Sequence, residues 1–592
     1  MVQLAVRQYG VTHRRTRPLR LSPHPDAPTD DDWGAWVRDS AKPVAVDLFC
    51  GAGGLSHGLE AAGYRVVLAA DTDEWALESH RHNIAGRAVR LDLAEPRVRE
   101  EIAALLDGVD VGLVAGGPPC QPFSRAGLSK IRSLVDLGLR DEDDARRDLW
   151  RAFLELVEAI RPRAVLMENV PDMALGDGFT VIRAMIERLG KVGYEADARI
   201  VDAWRHGVPQ HRQRLILVAL RDGGAFDWPR ESDPVTVRQA IYDLPRLSVS
   251  PDAALGAPTM PYLATTMQGA SGSDDESGTP WPAGAAGWAG GRGVPLSDFA
   301  VRARQGCTGD SARVVHDHVT RPVRADDFEA FKLMDGRTLY SDLPEILRRY
   351  RADIFNDKYN RLSWDDPSRT ITAHLAKDGY WYIHPEQHRS LTVREAARLQ
   401  TFPDTFRFAG CRSHQFQQIG NAVPPQLAQQ IGSAILNSVR SDCAQPSLDA
   451  GRRSLRMRRS TFREAVLHWV ETDSHARSAI EAIRQGGARS QRWADLLAGG
   501  ESGLVASAAA LRVASRVSGS LNGRRAQGSM AKMELAKLVG LGKNATALNA
   551  AAHALGTVVC RPRAPRCHSC PVAVACASLQ SADSAAPTAA AG

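Results

Sequence analysis

The chain has 592 residues, 44% of them hydrophobic, enough to bury a sizeable core and to build roughly two to four domains. No uninterrupted apolar run approaches the roughly 20 residues that cross a bilayer, and the start, MVQLAVRQYGVTHRRTRPLR, lacks the apolar stretch of a secretory signal, so no membrane association and a cytoplasmic location are expected. The net charge of +6 is unevenly spread: residues 451–592 carry twenty Lys and Arg against eight Asp and Glu, a local +12, which leaves residues 1–450 at −6. The basic end is the part suited to a polyanion, and its bland alternative is a solvated basic surface.

Residues 1–42, basic and then acidic (DAPTDDDWG), show no periodicity and are expected to form a flexible arm. From 43, PVAVDLF reads as a buried strand, GAGGLSHGLEAAG as a glycine-rich turn running into a helix, and YRVVLAAD as a second strand ending in an acid. Further buried strands at VGLVAGG, RAVLMENV and RLILVAL, separated by helical stretches such as RRDLWRAFLELVEAIRP, predict a doubly wound, Rossmann-like α/β domain with a mostly parallel sheet over 43–220. Residues 221–357 are rich in Gly, Pro, Ser and Trp, with helical signals only at EAFKLM and DLPEILRRYR. Regular patterning returns at TITAH and TVREAARLQTF, so 358–440 completes the α/β domain. After a linker, 455–580 predict a small α-helical C-terminal domain, and 581–592 (SADSAAPTAAAG) a disordered tail.

Four motifs carry chemistry. Phe49-Cys50-Gly51-Ala52-Gly53-Gly54 follows a strand and opens a helix, and Asp71 closes the next strand about twenty residues later, where an acid can hold the ribose hydroxyls of an adenosine. A purely structural glycine turn has the same appearance, and nicotinamide enzymes share the logic. Gly117-Pro118-Pro119-Cys120-Gln121-Pro122-Phe123-Ser124 ends a strand where α/β crevices form, and its prolines stiffen the approach to the thiol. Glu168-Asn169-Val170 closes RAVLMENV, so its acid either caps the surface or reaches the same crevice. Gln210-His211-Arg212-Gln213-Arg214 leads into RLILVAL, and alternate arginines on an extended segment point to one side, suited to a phosphate or a carbonyl oxygen unless they are only a solvated charge run.

Taken in order, these motifs resemble the DNA (cytosine-5) methyltransferase family, as do Arg361-Leu362-Ser363-Trp364, Pro367-Ser368-Arg369-Thr370-Ile371-Thr372 and Gln418-Ile419-Gly420-Asn421-Ala422-Val423-Pro424-Pro425. The resemblance spans about residues 44–438. It implies methyl transfer from S-adenosylmethionine to carbon 5 of a cytosine flipped out of duplex DNA, through a covalent adduct of Cys120 with carbon 6. It further implies that Glu168 contacts ring nitrogen 3 and the exocyclic amine, that Arg214 holds the ring carbonyl oxygen, and that Arg212 supports the loop or the base. The cofactor pocket it implies comprises Phe49, Gly51, Gly53, Gly54, Leu55, Asp71, Thr72, Asp92, Leu93, Pro118, Asn421 and Val423. Thr72 departs from relatives that place a large apolar residue against adenine. Residues 125–147 would close over the base, and 221–357 would recognise the DNA target. The resemblance admits a cognate restriction endonuclease as partner, though no segment specifies one, and a monomer is expected. The alternatives are a tRNA cytosine-5 methyltransferase, against which the large insert argues, and a catalytically idle DNA-binding protein, against which intact Cys120, Glu168 and Arg214 argue.

The nine cysteines are scattered up to 443 and then grouped as Cys560, Cys567, Cys570 and Cys576. Zinc sites pair two short knuckles across a longer spacer, so this set fits zinc poorly. Its spacing resembles the iron-sulfur loop that closes the endonuclease III family of helix-hairpin-helix DNA glycosylases, as do Ala547-Leu548-Asn549, Leu555-Gly556 and Pro571. That resemblance covers about 505–576 and implies a 4Fe-4S cluster, with zinc the alternative. Ser507 stands where that family carries an aspartate, and no hairpin with a catalytic lysine precedes it, so a DNA-holding module without glycosylase chemistry is expected.

Overall fold

β1 (Val44–Leu48), β2 (Arg65–Asp71), β3 (Arg87–Arg90), β4 (Val111–Gly116), β5 (Ala164–Asn169), β6 (Tyr194–Asp202) and β7 (Gln213–Arg221) form one sheet in the order β3-β2-β1-β4-β5-β7-β6. The computed structural model describes residues 18–119, 149–175, 180–221, 226–247, 278–280, 295–308, 314–319, 323–348, 359–377, 379–444, 455–485, 505–518, 528–540, 545–562 and 565–576. β1, β4 and β5 are buried along their whole length, which is why their sequences run apolar without alternation: helices cover both faces.

The first five strands are parallel, whereas β7 runs antiparallel to both β5 and β6. RLILVAL is therefore the returning arm of a hairpin inserted between β5 and β6. Two strands of this sheet have no counterpart in the sequence reading. β3 is four residues long with an arginine at each end, and the terminal strand β6 carries Glu195, Asp197 and Arg199 between its apolar residues. The strand order reverses between β1 and β4, and this switch point opens a crevice at the C-terminal ends of the two strands.

Three helices follow the C-terminal ends of β1, β2 and β3 in turn, α2 (Gly54–Ala62), α3 (Glu74–Asn83) and α4 (Pro96–Leu105), whereas α1 (Trp33–Arg38) lies at the start of β2, where Arg65 donates to the Trp36 carbonyl at 3.3 Å. The expected flexible arm is packed from residue 18 onward. Leu19 bridges Gly410, Trp33 and Val37 are buried in the main core, and the Trp33 indole N–H donates to the Val67 carbonyl at 3.0 Å. Within the insert, Val237, Ile241, Leu244 and Phe299 share a core with Leu362, Ile371, Phe402 and Phe416 of the following segment. EAFKLM falls in a helix, Ala325–Leu333, but DLPEILRRYR forms only 3-10 turns up to residue 348, because Pro344 interrupts it.

The C-terminal region builds its own core from Phe462, Val466, Val513, Leu548 and Leu555. It docks on the sheet through the helix Gly528–Val539, whose Met533 and Ala536 join the main core. Buried Lys537 donates from Nζ to Asp197 Oδ1 at 2.6 Å and to the Ala198 carbonyl at 3.0 Å. Beside this contact lies a cavity of about 380 Å³ between Arg183, Glu187, Arg463 and Lys537, remote from the switch-point crevice. Among the described residues no helix is long and apolar enough to cross a membrane.

Candidate active site

The turn after β1 is built on positive backbone torsions: Phe49 at φ 60°, Gly51 at 53° and Gly53 at 97°. For Phe49 this conformation carries strain, of the kind that persists where surrounding contacts enforce it. Those contacts centre on Asp71. Its Oδ2 accepts the Gly51 N–H at 2.8 Å, and its Oδ1 accepts the N–H groups of Thr72 at 2.7 Å and Asp73 at 2.9 Å. Burial nevertheless raises the Asp71 pKa above the usual carboxylate value.

A Cβ at Gly51 would meet nothing within 4 Å, so the turn faces open space, whereas a Cβ at Gly54 would lie 2.4 Å from the Val423 carbonyl. The glycine turn and the 421–423 segment therefore form adjacent walls of one pocket. Asn421 is exposed at the end of the helix Arg412–Asn421. Thr72 is exposed, and Asp92 turns its carboxylate to the Ala94 N–H at 2.9 Å. The side chains of Leu55 and Leu93 are buried in the core, so only their backbones can face a ligand. This open, backbone-lined pocket with an acid beside it fits an adenosine-bearing group such as S-adenosylmethionine.

At the ends of β4 and β5, Asn169 donates from Nδ2 to the Pro118 carbonyl at 2.9 Å and accepts the Val170 N–H at 2.8 Å. This bond ties the strand carrying Glu168 to the segment that leads into the cysteine. Cys120, and the closing loop expected at 125–147, lie outside the described residues. Glu168 is 9% exposed, and its Oε1 lies 2.7 Å from Arg214 Nε. Among the described residues no N–H is aimed at that oxygen, so Oε1 is buried without a hydrogen bond.

Arg212 and Arg214 part company despite their alternate positions. Arg214 faces Glu168, whereas Arg212 is buried and donates to the carbonyls of Ile371 at 2.8 Å, Gly420 at 3.2 Å and Ala422 at 2.9 Å. Gln210 reinforces the same seam, accepting the Ile371 N–H and donating to the Leu399 carbonyl, both at 2.9 Å. Asn169 stands in its motif without a role, and the structure gives it one as a brace; the Ser79 hydroxyl, which donates to Gln418 Oε1 at 2.6 Å, stands in no motif. A serine on a helix face otherwise buried is the sequence trace of the latter.

A sheet with a switch-point crevice, a glycine-turn pocket and a carboxylate-guanidinium pair on neighbouring strands defines a Rossmann-like transferase domain. Residues 44–263 and 308–437, more than half of the chain, match the model of the C-5 cytosine-specific DNA methylase family, and the chain belongs to that family. It is a DNA (cytosine-5) methyltransferase that uses S-adenosylmethionine. The type II methyltransferase M.AgeI of Thalassovita gelatinovora is 33% identical over 452 residues, covering 66% of this chain and 98% of that protein. M.XorII of Xanthomonas oryzae pv. oryzae is 30% identical over 430 residues, covering 69% of this chain and 87% of that protein. A solved methyltransferase structure from an E. coli prophage aligns at 23% identity with a TM-score of 0.47, over 67% of this chain and 99% of that one.

Proposed function

We propose that the chain methylates carbon 5 of a cytosine flipped out of a specific duplex DNA sequence, with Cys120 as covalent nucleophile. The thiolate adds to carbon 6, which makes carbon 5 electron-rich enough to take a methyl group, and loss of the carbon 5 proton then expels the Cys120 thiolate and restores the ring; the bound cofactor would supply the methyl group from its sulfonium. Glu168 is the residue on which charge balance depends. One of its oxygens accepts from the exocyclic amine, while a proton held between the carboxyl and ring nitrogen 3 offsets the charge that the thiolate brings. Arg214 holds the ring carbonyl oxygen, and Arg212 supports the loop. The observation that carries this reading is Glu168 Oε1, buried beside Arg214 and free of hydrogen bonds among the described residues. Phe49, Gly51, Gly53, Gly54, Asp71, Asn421 and Val423 hold the cofactor, and residues 221–357 read the target.

The test pairs a variant with a trap. Cys120→Ser should lose methyl transfer while cofactor binding stays near wild type, because an alcohol is a far weaker nucleophile than a thiolate near neutral pH. Fluorinated cytosine at the target should leave a denaturation-resistant adduct with the wild type only. Labelled cofactor offered with duplex DNA or with tRNA decides the substrate: transfer to tRNA alone overturns the DNA reading.

The family match ends at residue 437, and the C-terminal module lies beyond it. For this module we propose a DNA-holding role built around a 4Fe-4S cluster on Cys560, Cys567, Cys570 and Cys576. Among the described residues no group of three His, Cys, Asp or Glu side chains is gathered as a single metal ion would need. The four thiols nevertheless lie close enough to act on one another. Burial, and then the charges of Cys560, Cys576 and Cys567, push the Cys570 thiol up to about 11. Arg516 Nη1 lies 3.2 Å from Cys560 Sγ, and Arg512 donates to the Cys560 carbonyl at 2.8 Å, cations that suit a thiolate set. Ser507 caps the helix Ala508–Ser518 through the Ala510 N–H and lies 2.6 Å from His553 Nδ1, a structural engagement that supports loss of glycosylase chemistry. Protein purified without oxygen should be brown and hold about four irons per chain. Stoichiometric zinc without iron would overturn the cluster.

A further inference from the structure

Beneath the glycine turn runs a polar line that methyl transfer does not itself use. Asp47 in β1, Ser56 in α2 and His80 in α3 are completely buried. Ser56 Oγ lies 2.6 Å from Asp47 Oδ2 and 2.9 Å from His80 Nε2. Gly53 rests on the same imidazole, since a Cβ there would lie 2.9 Å from His80 Cδ2. The neighbouring Ser79 holds Gln418 and accepts the Ala409 N–H at 2.8 Å. One turn of α3 thus touches both walls of the cofactor pocket.

Ser56 has one hydroxyl proton, so two wirings are open. With Asp47 ionised, Ser56 donates to Asp47, His80 donates from Nε2 to Ser56, and Nδ1 is a bare acceptor. With Asp47 protonated, the carboxyl donates to Ser56, Ser56 donates to Nε2, and the imidazole proton stands on Nδ1, where no acceptor lies among the described residues. Passing from the first to the second takes up one proton at Asp47 and moves one imidazole proton from Nε2 to Nδ1. The protonated wiring therefore buries an N–H without a partner directly under Gly53, and it loosens the turn's support. Burial holds His80 neutral, at about 3, and lifts Asp47 to about 7 against its bond from Ser56 and with help from Asp71. Among the described residues the other ionisable groups facing this line are Arg81 of α3 and the buried Cys50 thiol.

We propose that Asp47, Ser56 and His80 are positioning residues for methyl transfer: their hydrogen-bonded line shapes the glycine turn, and its ionised wiring is the form that binds S-adenosylmethionine well. This rests on the glycine turn being the cofactor pocket. Cofactor binding to the full chain, measured by calorimetry between about pH 6 and 8.5, should tighten roughly fivefold or more in wild type as pH rises through the Asp47 transition. Ser56→Ala should weaken binding about tenfold and remove most of that rise, while kcat at saturating cofactor stays within about twofold. Leu59→Ala, a packing change in the same helix, should keep the wild-type pH slope. A Ser56→Ala curve parallel to wild type at all pH values would overturn the inference alone. Wild-type protein that binds no cofactor would overturn the pocket assignment and the inference with it.

Discussion

Glu168→Gln keeps the shape of the side chain and removes the charge beside Arg214, so it separates positioning from proton handling. Its kcat should fall by about a hundredfold or more, with cofactor affinity unchanged. Arg212→Ala should behave differently. Three carbonyls lose their donor in a buried seam, so thermal stability should drop by about 3 kcal/mol, whereas Arg214→Ala, which leaves the buried Glu168 without its cation, should cost about 1–3 kcal/mol and fail in turnover. Melting curves measured beside turnover check both. The alternate spacing of the two arginines suggested a common direction, but β7 begins at Gln213, so Arg212 stands before the strand and is not bound by its alternation. Glu168 was legible because it ends an apolar run at a strand terminus. The Asp47-Ser56-His80 line was not, because three single polar residues on three elements leave no local pattern.

At the level of elements, the helix Val393–Leu399 is the joint between the insert and the second half of the catalytic domain. Every residue of it is buried, charged ones included. Arg398 bonds Asp404 through Nε at 2.6 Å and Asp243 of the insert through Nη1 at 2.9 Å, and Arg394 reaches Asp317 of the insert at 3.4 Å. Against its burial, Glu395 is held well below the usual carboxylate range by Arg389. Arg398→Met should cost about 3 kcal/mol, because Asp404 loses its close partner while Asp243 keeps Arg304 at 2.7 Å, a loss that denaturant titration will read.

His318 adds a pH signature to the same joint. Its Nε2 lies 2.8 Å from the Pro245 carbonyl and its Nδ1 3.0 Å from Thr392 Oγ1, and burial pulls its pKa down to about 4. The unfolded chain binds this proton at about 6.5 and the folded chain does not, so stability is full above that value and declines as pH falls toward 4. The decline is at most about 1.4 kcal/mol per pH unit for this residue. His318→Gln should lessen that slope in melts taken from pH 7 to 5. The sequence displayed β1, β2, β4, β5 and β7 plainly, yet it hid α1 along with β3 and β6. Trp33 and Val37 anchor that helix four residues apart, in a segment too short to show a period.

Across the whole molecule, charge and covalent pattern were readable where contact was not. The +12 of residues 451–592 and the cysteine spacing mark a separate module, but the bond that docks it joins residues 340 positions apart. Arg561 and Arg566 are exposed on this module, at the rim of the cysteine group. If they meet phosphates, replacing both with alanine should reduce the slope of log affinity against log salt by up to about 1.8, with sequence preference unchanged. Filter binding of target and scrambled duplexes at three salt concentrations is sufficient to see it.

The docking helix also has a consequence for chains made without it. β6 ends the sheet, and Lys537 occupies the Ala198 carbonyl on its outer side while Met533 and Ala536 cover its apolar face. A chain cut before Leu455 would present that strand bare, ready to accept a strand from a second copy. Such a fragment should be purified as soluble aggregates or precipitate on concentration, and a fragment carrying lysines at Ala196 and Ala198 should stay dispersed.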